Sequence, residues 1–410
     1  MIIKEINNCR VCSGDLAEVL NLGTPYISDF LNEGEEGVRV PLVVGECNDC
    51  GLNQLMHQAD LDVLYKEHYW YRSSLNSSML DDLKDIVEDI ESRIKIQPED
   101  VVIDIGCNDG ALFNFYTEKE ICKVGFDPAP NVEAEENCDF FINDFFSIDS
   151  NALEDPRVKA KVITSIAMFY DLPDPNKFVD DITKILDPEG IWVIQFTDLQ
   201  SMLRVNAVDN ICQEHLEYYR LKDIDYLLSL HGLEIIDVSY NKVNGGSIRI
   251  FVAFNSRFPR SYSKLKDAMS RENMWLGFDN LYSLGLRINY YKNVITQYLN
   301  TIQGDVCGLA ASTKGNTLLQ ILELDNNKIK AIGEINEDKF GLVTSGTNIP
   351  IVPEKEVLDK NPELIIILAW HFTSTFNKIL KDYIANGGKV LYPLPRPLLI
   401  SNKGKKYLDE

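Results

Sequence analysis

The chain has few positive charges: 40 Lys and Arg stand against 63 Asp and Glu among its 410 residues, which gives a formal net charge of −23. Such a charge repels polyanions at long range, so nucleic acids and anionic membranes are disfavoured as partners. Long apolar runs are also missing, since a stretch such as 364–370 is far shorter than the ~20 residues that span a bilayer. Residues 1–5 lack the basic start of a secretory signal. We therefore expect a cytoplasmic protein.

The sequence also shows no sign of extensive disorder or of internal repeats. Hydrophobic residues make up 45% and charged residues 25% of the chain, which is the composition of an ordinary globular protein. No fixed-period repeat and no low-complexity tail is visible. At ~150 residues for each domain, the length predicts two or three domains, each large enough to bury its own core.

Nine cysteines are present, and four of them form two close pairs, Cys9 with Cys12 and Cys47 with Cys50. Two thiolates in a Cys-x-x-Cys turn can bind one ion from the same side, and two such turns complete a closed tetrahedral zinc site. Reduced free thiols, or a thioredoxin-like redox pair, are the alternatives. A redox motif needs one pair in a βαβ unit, whereas here two pairs lie among glycines and prolines. The pattern therefore favours structural zinc.

Beyond residue 100, short β-rich runs alternate with helical stretches. The run 101–105 is almost wholly apolar, as in a strand buried within a parallel sheet. Five further strand candidates follow, at 123–126, 162–168, 191–196, 233–238 and 247–254. The alternation predicts a doubly wound α/β domain that ends in a hairpin around 244–246. After a helical stretch at 260–300, a second α/β module is predicted from strands at 306–311, 329–332, 364–368 and 390–394 and a helix at 317–324.

A glycine turn lies between the first of these strands and a predicted helix, and it reads Asp104-Ile105-Gly106-Cys107-Asn108-Asp109-Gly110. It lacks the Gly-x-Gly-x-x-Gly pattern of dinucleotide binding, although a glycine turn at this position lets a ligand approach the backbone. Asp127 ends the next strand, where an acid can accept hydrogen bonds from a ribose, and Asp144 and Phe145 follow where they can hold adenine. S-adenosylmethionine offers ribose and adenine but no phosphate. The pattern therefore favours a class I methyltransferase over an NAD-binding domain.

Several further segments match one known family. They are the two cysteine pairs and residues 69–74, 104–110, 168–175, 210–219, 244–249 and 311–317, of which Glu214–Tyr219 and Ser312–Asn316 are the most specific. On these segments nearly the whole chain resembles the three-domain, S-adenosylmethionine-dependent sugar C-methyltransferases that act on nucleotide-linked 4-keto-deoxyhexoses. The match is incomplete near the most specific segment, because Cys212 and Gln213 stand where some members have Tyr and His.

The resemblance implies a fold in which a class I methyltransferase Rossmann-like domain is flanked by two others. A small zinc-binding domain is expected at 1–68, the methyltransferase domain at 69–258, and a helical linker with a C-terminal Rossmann-like α/β domain at 259–410. The last domain is expected to help bind the nucleotide sugar. The implied cofactor contacts are Tyr69, Ser74, Asp104, Gly106, Asn108, Gly110, Asp127, Asp144 and Phe145.

Methylation of a carbon atom requires a carbanion equivalent, because carbon is a poor nucleophile. A 4-keto group acidifies the neighbouring C-3 proton, and a base with a pKa near neutrality can remove it to give an enolate. The resemblance implies Glu214 and His215 as the acid–imidazole pair, with His215 as the base. Tyr71, Tyr170 or Arg249 is expected to donate a hydrogen bond to the enolate oxygen. The alternative for His215 is a buried, hydrogen-bonded core residue.

In the second module, Ser312–Asn316 joins a strand to a helix N-terminus, where backbone N–H groups and the helix dipole favour an anion. Thr313, Lys314 and Asn316 are therefore candidates for contacts with the nucleotide, and a plain Rossmann-like turn is the alternative. Four other residues are expected to meet the substrate: Glu334 at its ribose, His371 at the nucleotide, and Asn244 and Ser247 at the sugar or its phosphates, where Arg249 is also expected.

Two other functions are compatible with parts of the sequence. An O- or N-methyltransferase of a small molecule would use the same cofactor site but leaves Glu214 and His215 unexplained. A non-catalytic, zinc-containing interaction scaffold would not need the intact residues Asp104, Gly106 and Asp127. We therefore expect a sugar C-methyltransferase that uses S-adenosylmethionine and structural zinc.

Overall fold

Short strands and turns form the N-terminal part of the chain, as expected of a segment rich in glycine and proline. The computed structural model describes residues 3–67, 70, 77–130, 132–150, 153 and 159–410. Its first strands are β1 (Lys4–Glu5), β2 (Leu16–Asn21), β3 (Phe30–Leu31), β4 (Val43–Cys47), β5 (Asn53–Leu55) and β6 (His57–Gln58), followed by a π-helical turn (Asp62–Glu67).

A seven-stranded sheet forms the centre of the molecule. Its elements and those around it are α1 (Ser77–Arg93), β7 (Val101–Ile105), β8 (Cys122–Phe126), β9 (Phe140–Ile142), β10 (Ala160–Ile166), α2 (Pro175–Ile185), β11 (Leu186–Phe196), α3 (Leu199–Arg204), β12 (Glu217–Tyr218), α4 (Leu221–Ser229), β13 (Leu233–Asn241) and β14 (Ser247–Phe254). The strand order is β13-β14-β11-β10-β7-β8-β9, and β14 is antiparallel to both of its neighbours. This is the order of a class I methyltransferase Rossmann-like fold, as predicted.

A second seven-stranded sheet follows two long helices. The elements are α5 (Tyr262–Leu276), α6 (Leu281–Leu299), β15 (Val306–Leu309), α7 (Thr313–Ile321), β16 (Ile332–Glu334), β17 (Val343–Thr344), β18 (Ile351–Pro353), α8 (Glu354–Lys360), β19 (Leu364–Ile367), α9 (Thr373–Ile379), α10 (Lys381–Ala385), β20 (Lys389–Tyr392), β21 (Leu398–Ser401) and β22 (Gly404–Tyr407). The order is β18-β16-β15-β19-β20-β21-β22, with β18 to β20 parallel. The predicted Rossmann-like C-terminal module is therefore present.

Each sheet has one switch point, where the order of the strands reverses. In the central sheet it lies between β7 and β10, and in the second sheet between β15 and β19. Open α/β sheets bind their ligands in the crevice at such points, beyond the carboxyl ends of the strands. The two crevices lie close together, because the 3₁₀ turn Val208–Asn210 packs against α7 and the turn Val243–Gly245 packs against the turn Trp370–Phe372.

The N-terminal part shares sheets and a buried core with the two larger modules. Strand β12, from the central region, pairs with β5 in the sheet β12-β5-β4-β2 near the cysteines, and β3 pairs with β17. One buried apolar cluster joins the N-terminal segment, α3, α6 and the second sheet, and it includes Leu42, Leu203, Ile288 and Ile366. These shared contacts hold the N-terminal part against both crevices.

Two sequence-based expectations differ from the structure. The glycine turn after β7 leads into a short 3₁₀ helix, Ala111–Phe115, and not into a full α-helix. The helix predicted at 317–324 begins earlier, at Thr313, because the Ser312 side chain caps it by accepting a hydrogen bond from Gly315 N. Within the described residues, no helix has the length and apolar character required to cross a bilayer.

Candidate active site

The four predicted zinc ligands converge. Their Sγ atoms all lie within 4.8 Å of one another, with 3.7 Å between Cys9 and Cys50 and 3.4 Å between Cys12 and Cys47. Four thiolates at ~2.3 Å from a tetrahedral zinc ion would be about 3.8 Å apart, so the donor set fits zinc. Gly14 lets the two cysteine turns approach each other, because a Cβ at this residue would lie 2.4 Å from the Asp49 carboxylate and 3.0 Å from Cys47 Sγ. Four sulfur ligands would fill every position of a tetrahedral zinc ion and leave none open for a substrate, as in a structural site.

The glycine turn forms one wall of the crevice in the central sheet. Gly106 has a φ of +76°, and a Cβ at this residue would lie 3.0 Å from Cγ of Met168, on the loop after β10. Asp104, at the end of β7, is buried and accepts a hydrogen bond of 2.5 Å from the hydroxyl of Thr164. Burial raises the pKa of this carboxyl to about 7. Gly110 also has a positive φ, of +70°, so the turn depends on glycine at both ends.

Asp127 connects the glycine turn to the end of β8. Its two carboxylate oxygens accept hydrogen bonds from the backbone N–H groups of Asn108, at 2.8 Å, and Ala129, at 2.9 Å. Each oxygen keeps a second lone pair, so the group can still accept bonds from ribose hydroxyls. Burial raises its pKa. The acid, the glycine turn and the adjacent loop fit the ribose of S-adenosylmethionine.

Asp144 and Phe145 meet a partner that the sequence analysis did not identify, the π-helical turn of the N-terminal part. Lys66 Nζ lies 2.9 Å from Asp144 Oδ1 and 5.0 Å from the centre of the Phe145 ring. The hydrogen bond with Lys66 lowers the pKa of Asp144. The ring of Tyr65 contacts Phe145 edge-on at 6.2 Å. The predicted contact with adenine stays a prediction, and so do those of Tyr69, Tyr71 and Ser74, which lie outside the described residues.

His215 lies on the loop before β12, between the two crevices. Its Nδ1 is 2.8 Å from the carbonyl oxygen of Asn210. A carbonyl can only accept, so Nδ1 carries the proton and Nε2 has the lone pair of a base. The ring of Tyr170, on the loop after β10, lies 4.2 Å from the imidazole. Burial, together with the charge of Lys314, lowers the pKa of His215 to about 3.

Glu214 does not orient the imidazole, although it precedes His215 in the sequence. Its Oε2 is buried and accepts no hydrogen bond from the residues that the structure describes, while its backbone carbonyl accepts one of 3.3 Å from the Tyr65 hydroxyl. Burial raises the pKa of the Glu214 carboxyl. Gln213 points away, with Nε2 3.5 Å from Val40 O, and therefore takes no part in a proton relay with His215.

The second crevice brings Lys314 and His371 to the same place. Lys314 is the second residue of α7, and its ammonium interacts electrostatically with Asp171 and Asp209 and with His215. Burial lowers the pKa of Lys314, and burial next to Lys314 lowers that of His371 to about 3. No ion pair or hydrogen bond of the Lys314 ammonium is found within the described ranges. Thr313 starts the same helix turn.

Two acids of this cluster were not predicted as site residues. Asp171 ends the loop after β10, and Asp209 accepts a hydrogen bond of 2.8 Å from Trp370 Nε1. Each has one buried oxygen, Oδ1, without a hydrogen-bond partner among the described residues, and burial raises the pKa of both. Asp171 was detectable as the acid directly after Tyr170, whereas nothing in the sequence places Asp209 next to Trp370.

Arg249 occupies a different position from the one predicted for it. Its guanidinium binds three acids on one face of α1, at 3.4 Å from Asp82, 2.8 Å from Asp85 and 3.2 Å from Asp89, and its Nε donates to Gln195 Oε1 at 2.8 Å. The side chain is 4% exposed. Because all three nitrogens are engaged, Arg249 joins α1 to β14 and is not available to a substrate or an enolate.

Three other residues that were predicted to contact the substrate also form hydrogen bonds within the protein. The Asn316 amide donates to Asp29 O at 2.9 Å, which joins α7 to the N-terminal part. Glu334 Oε1 accepts from the backbone of Ile335 and Asn336, at 2.7 and 3.1 Å, and so closes its own loop. Ser247 is buried and donates to Val243 O at 3.1 Å. These bonds leave Glu334 Oε2, Asn316 Oδ1 and the lone pairs of the Ser247 hydroxyl to accept further hydrogen bonds, so the three predicted substrate contacts stay predictions.

Asn244 lies in the turn Val243–Gly245, which packs against the turn Trp370–Phe372, and its predicted contact with the sugar stays a prediction. It has a left-handed backbone, with φ 53° and ψ 28°, in the turn that follows β13. In the same turn, a Cβ at Gly245 would lie 3.2 Å from the Trp370 ring. The turn therefore lies next to Trp370 and His371, where the two crevices meet.

The pKa of His215 leads to a prediction on its protonation. Because burial and Lys314 disfavour the imidazolium, His215 and His371 should both remain neutral as the pH falls from 8 to 5. The C2-proton shifts of both rings, assigned by NMR with His215→Gln and His371→Gln, should not move over this range. In urea the same resonances should titrate near ~6.5, the value of an exposed histidine. A midpoint between pH 6 and 7 in the folded protein would contradict the prediction.

Three family models match consecutive parts of the chain: a zinc binding domain at residues 9–65, a methyltransferase domain at 71–238 and a C-methyltransferase C-terminal domain at 242–395. The C-methyltransferase NovU of Streptomyces niveus is 26% identical over 413 residues, which cover 98% of each chain.

Two solved methyltransferase structures each resemble less than half of the chain. Magnesium protoporphyrin IX methyltransferase from Synechocystis PCC 6803, with bound S-adenosylmethionine, is 12% identical with a TM-score of 0.34 and covers 48% of this chain and 89% of that chain. The mitomycin 7-O-methyltransferase MmcR is 14% identical with a TM-score of 0.34 and covers 44% of this chain and 55% of that chain.

The domain models, the order of the central sheet and the four-cysteine cluster agree with one another. The residues at the ends of β7 and β8 fit S-adenosylmethionine, and the converging thiols fit zinc. In sequence the chain is thus similar, over nearly its whole length, to a C-methyltransferase, and its parts match a zinc binding domain, a methyltransferase domain and a C-methyltransferase C-terminal domain in that order.

Proposed function

We propose that the chain methylates C-3 of a nucleotide-linked 4-keto-deoxyhexose, with His215 as the base. The observation that carries the proposal is the position of His215 between the two crevices. On one side it contacts Tyr170, whose loop reaches Gly106 of the cofactor turn through Met168. On the other side it faces Lys314 of the second sheet. A substrate held by the second crevice would therefore present its sugar to the base and to the cofactor together.

The proton step follows from the tautomer of His215. Nε2 removes the C-3 proton, and the electron pair left on carbon is conjugated with the 4-keto group as an enolate. The hydrogen bond from Nδ1 to Asn210 O keeps the lone pair on Nε2. Bound S-adenosylmethionine would supply a methyl group whose bond to sulfur breaks as the bond to C-3 forms, which leaves S-adenosylhomocysteine as the second product. Tyr170, which contacts the imidazole, and Tyr71 remain the proposed donors to the enolate oxygen.

Lys314 has two effects in this proposal. Without substrate its charge contributes to the low pKa of His215, which would make the imidazole a weak base. A diphosphate next to Lys314 offsets that charge and so raises the pKa of His215 towards neutrality. Substrate binding would thus strengthen the base only when the correct ligand is present. Thr313 and His371 border the same space and are proposed to contact the nucleotide, and Asn244 the sugar.

A labelled-substrate experiment tests the proposal. The protein is incubated in deuterium oxide with several 4-keto-6-deoxy nucleotide sugars and, as matched controls, the corresponding 4-hydroxy sugars. Without the cofactor, deuterium should enter next to the ketone of a 4-keto sugar and not into a 4-hydroxy sugar. With methyl-labelled S-adenosylmethionine, NMR of the product should show the label on carbon.

The two alternative functions give different results. A label on oxygen or nitrogen, with no deuterium exchange, would indicate an O- or N-methyltransferase. No binding of S-adenosylmethionine by calorimetry would indicate a non-catalytic scaffold. Either result would refute the proposal.

We also propose the domain limits 1–68, 69–258 and 259–410, which limited proteolysis can test.

A further inference from the structure

The loop that carries His215 is attached to the N-terminal zinc part by several hydrogen bonds. Strand β12 pairs antiparallel with β5, with Glu217 opposite Gln54, and Leu55 N donates to Leu216 O at 2.8 Å. From the other side, Leu216 N donates to Tyr170 O at 2.7 Å. The segment around His215 is therefore held between the zinc part and the loop after β10.

Arg10 lies at the centre of this attachment. It is the residue after Cys9, inside the first zinc-binding turn, and its side chain is 3% exposed. Its Nη1 donates to Leu55 O at 3.0 Å, and its backbone N–H donates to Gln54 Oε1 at 2.8 Å. Its Nε lies 3.5 Å from Glu217 Oε1, and the Glu217 side chain is fully buried. Arg10 thus contacts both β5 and β12.

The Arg10–Glu217 ion pair is not used by the chemistry proposed above. In the described part of the chain, no other cation lies within 4.0 Å of the Glu217 carboxylate. A buried charge is costly without its partner, so loss of either residue leaves the other uncompensated. The position of β12 should then change, and the position of His215 with it, because only one residue separates His215 from β12.

We propose that Arg10 is a positioning residue: through Glu217 it transmits the geometry of the zinc-binding turn to the loop that carries His215. The proposal rests on the proposed role of His215 as the base. The zinc site would accordingly fix the distance between base and substrate as well as the fold of its own module. Neither the zinc-binding turn nor Glu217 touches the substrate in this arrangement.

The test compares Arg10→Met, Arg10→Lys and Glu217→Gln with Arg39→Met as the matched control. Arg39 is an exposed arginine of the same module, and its Nε bonds to Thr24 O at 2.8 Å. In Arg10→Met, kcat for deuterium exchange into a 4-keto sugar should fall about 10–100-fold, the effect of a base displaced by roughly 1 Å. Neither KM nor the dissociation constant of S-adenosylmethionine should change, and the zinc content should remain one ion per chain.

Two further readouts separate positioning from a general loss of structure. By mass spectrometry, amide hydrogen exchange should increase in segment 210–219 of Arg10→Met and stay unchanged at 101–110. Arg10→Lys keeps the charge and should recover part of kcat. An unchanged kcat in Arg10→Met with zinc retained would overturn the inference. It would also be overturned if kcat and the number of S-adenosylmethionine sites per chain fell by the same factor, because part of the protein would then simply be unfolded.

Glu217→Gln leaves the zinc-binding turn intact. If Arg10→Met loses zinc, Glu217→Gln therefore becomes the variant that tests the inference. Its kcat should also fall, with amide exchange increased in the same segment, and an unchanged kcat would overturn the inference. If the wild-type protein exchanges no deuterium into any 4-keto sugar, the proposed function fails instead. The amide exchange of Arg10→Met then still reports whether Arg10 holds the loop.

Discussion

His215→Gln is expected to lower the rate of carbon methylation by about 10²–10⁴-fold, the usual contribution of a positioned general base. A glutamine amide can replace the hydrogen bond to Asn210 O, but it has no basic lone pair. Deuterium exchange next to the ketone should fall by the same factor. Binding of S-adenosylmethionine should be unchanged, because the glycine turn at Gly106 and Asp127 do not depend on the imidazole.

The control for this substitution is His231→Gln. His231 also uses one ring nitrogen for a hydrogen bond, from Nε2 to Asn176 Oδ1 at 3.1 Å, but it lies just after α4 and away from both crevices. Its variant should keep wild-type exchange and methylation. If His215→Gln retained the wild-type exchange rate, His215 would not be the base, and the buried hydrogen-bonded core residue would be the better interpretation.

Removal of zinc is expected to abolish methylation and to unfold the N-terminal part first. The two cysteine turns pack into a buried apolar cluster with the central sheet, but the four thiols converge only on one another. Structural zinc sites in small modules contribute apparent binding free energies of about 10–16 kcal/mol, so loss of the ion should remove most of what holds the two turns together. Strand β12 would lose its partner β5, so the loop with His215 would lose its support. With a strong chelator, thermal unfolding should show an additional early transition, and proteases should cut within residues 3–67.

Cys47→Ser should reproduce the effect of the chelator, with Cys122→Ser as its control. Cys122 lies in β8 as a single thiol, outside the four-cysteine cluster, so its variant should keep both zinc and activity. The dissociation constant of S-adenosylmethionine should rise less than kcat falls in Cys47→Ser, because the glycine turn and Asp127 belong to the central sheet and only the contacts of Lys66 and Tyr65 with Asp144 and Phe145 would be lost. A zinc-free protein with an unchanged unfolding curve and normal activity would contradict the structural role of the ion.

The residues in short, rigid motifs were the ones that sequence analysis placed best. The cysteine turns and the glycine turn are set by neighbours within a few positions, so their spacing alone predicts which atoms converge. The strands themselves could be expected in the same way, because buried parallel strands have continuous apolar runs, whereas their order in the sheet is seen only in the structure. Boundaries were less predictable: α7 starts at Thr313 because of its Ser312 cap, four residues before the predicted start.

Long polar side chains were the least predictable part of the candidate site. The sequence places Arg249 next to a substrate-facing turn, yet the structure uses it to bind Asp82, Asp85 and Asp89 of α1. Glu214 adjoins His215 without orienting it, since the carbonyl of Asn210 holds the ring. A long polar side chain can reach several hydrogen-bonding partners, and the positions of these partners in the sequence do not indicate which of them the fold brings nearest.

The sequence by itself determined the zinc ligands, the glycine turn of the cofactor crevice and the two α/β modules, because local spacing and apolar periodicity are enough for each. Only the tertiary structure decided what lies between the modules. It brought Lys314 close to both His215 and His371, attached the His215 loop to the zinc part through Arg10 and β5, and engaged Arg249 with α1. These contacts join residues far apart in the chain, so the packing of the sheets against one another specifies them and no local pattern can.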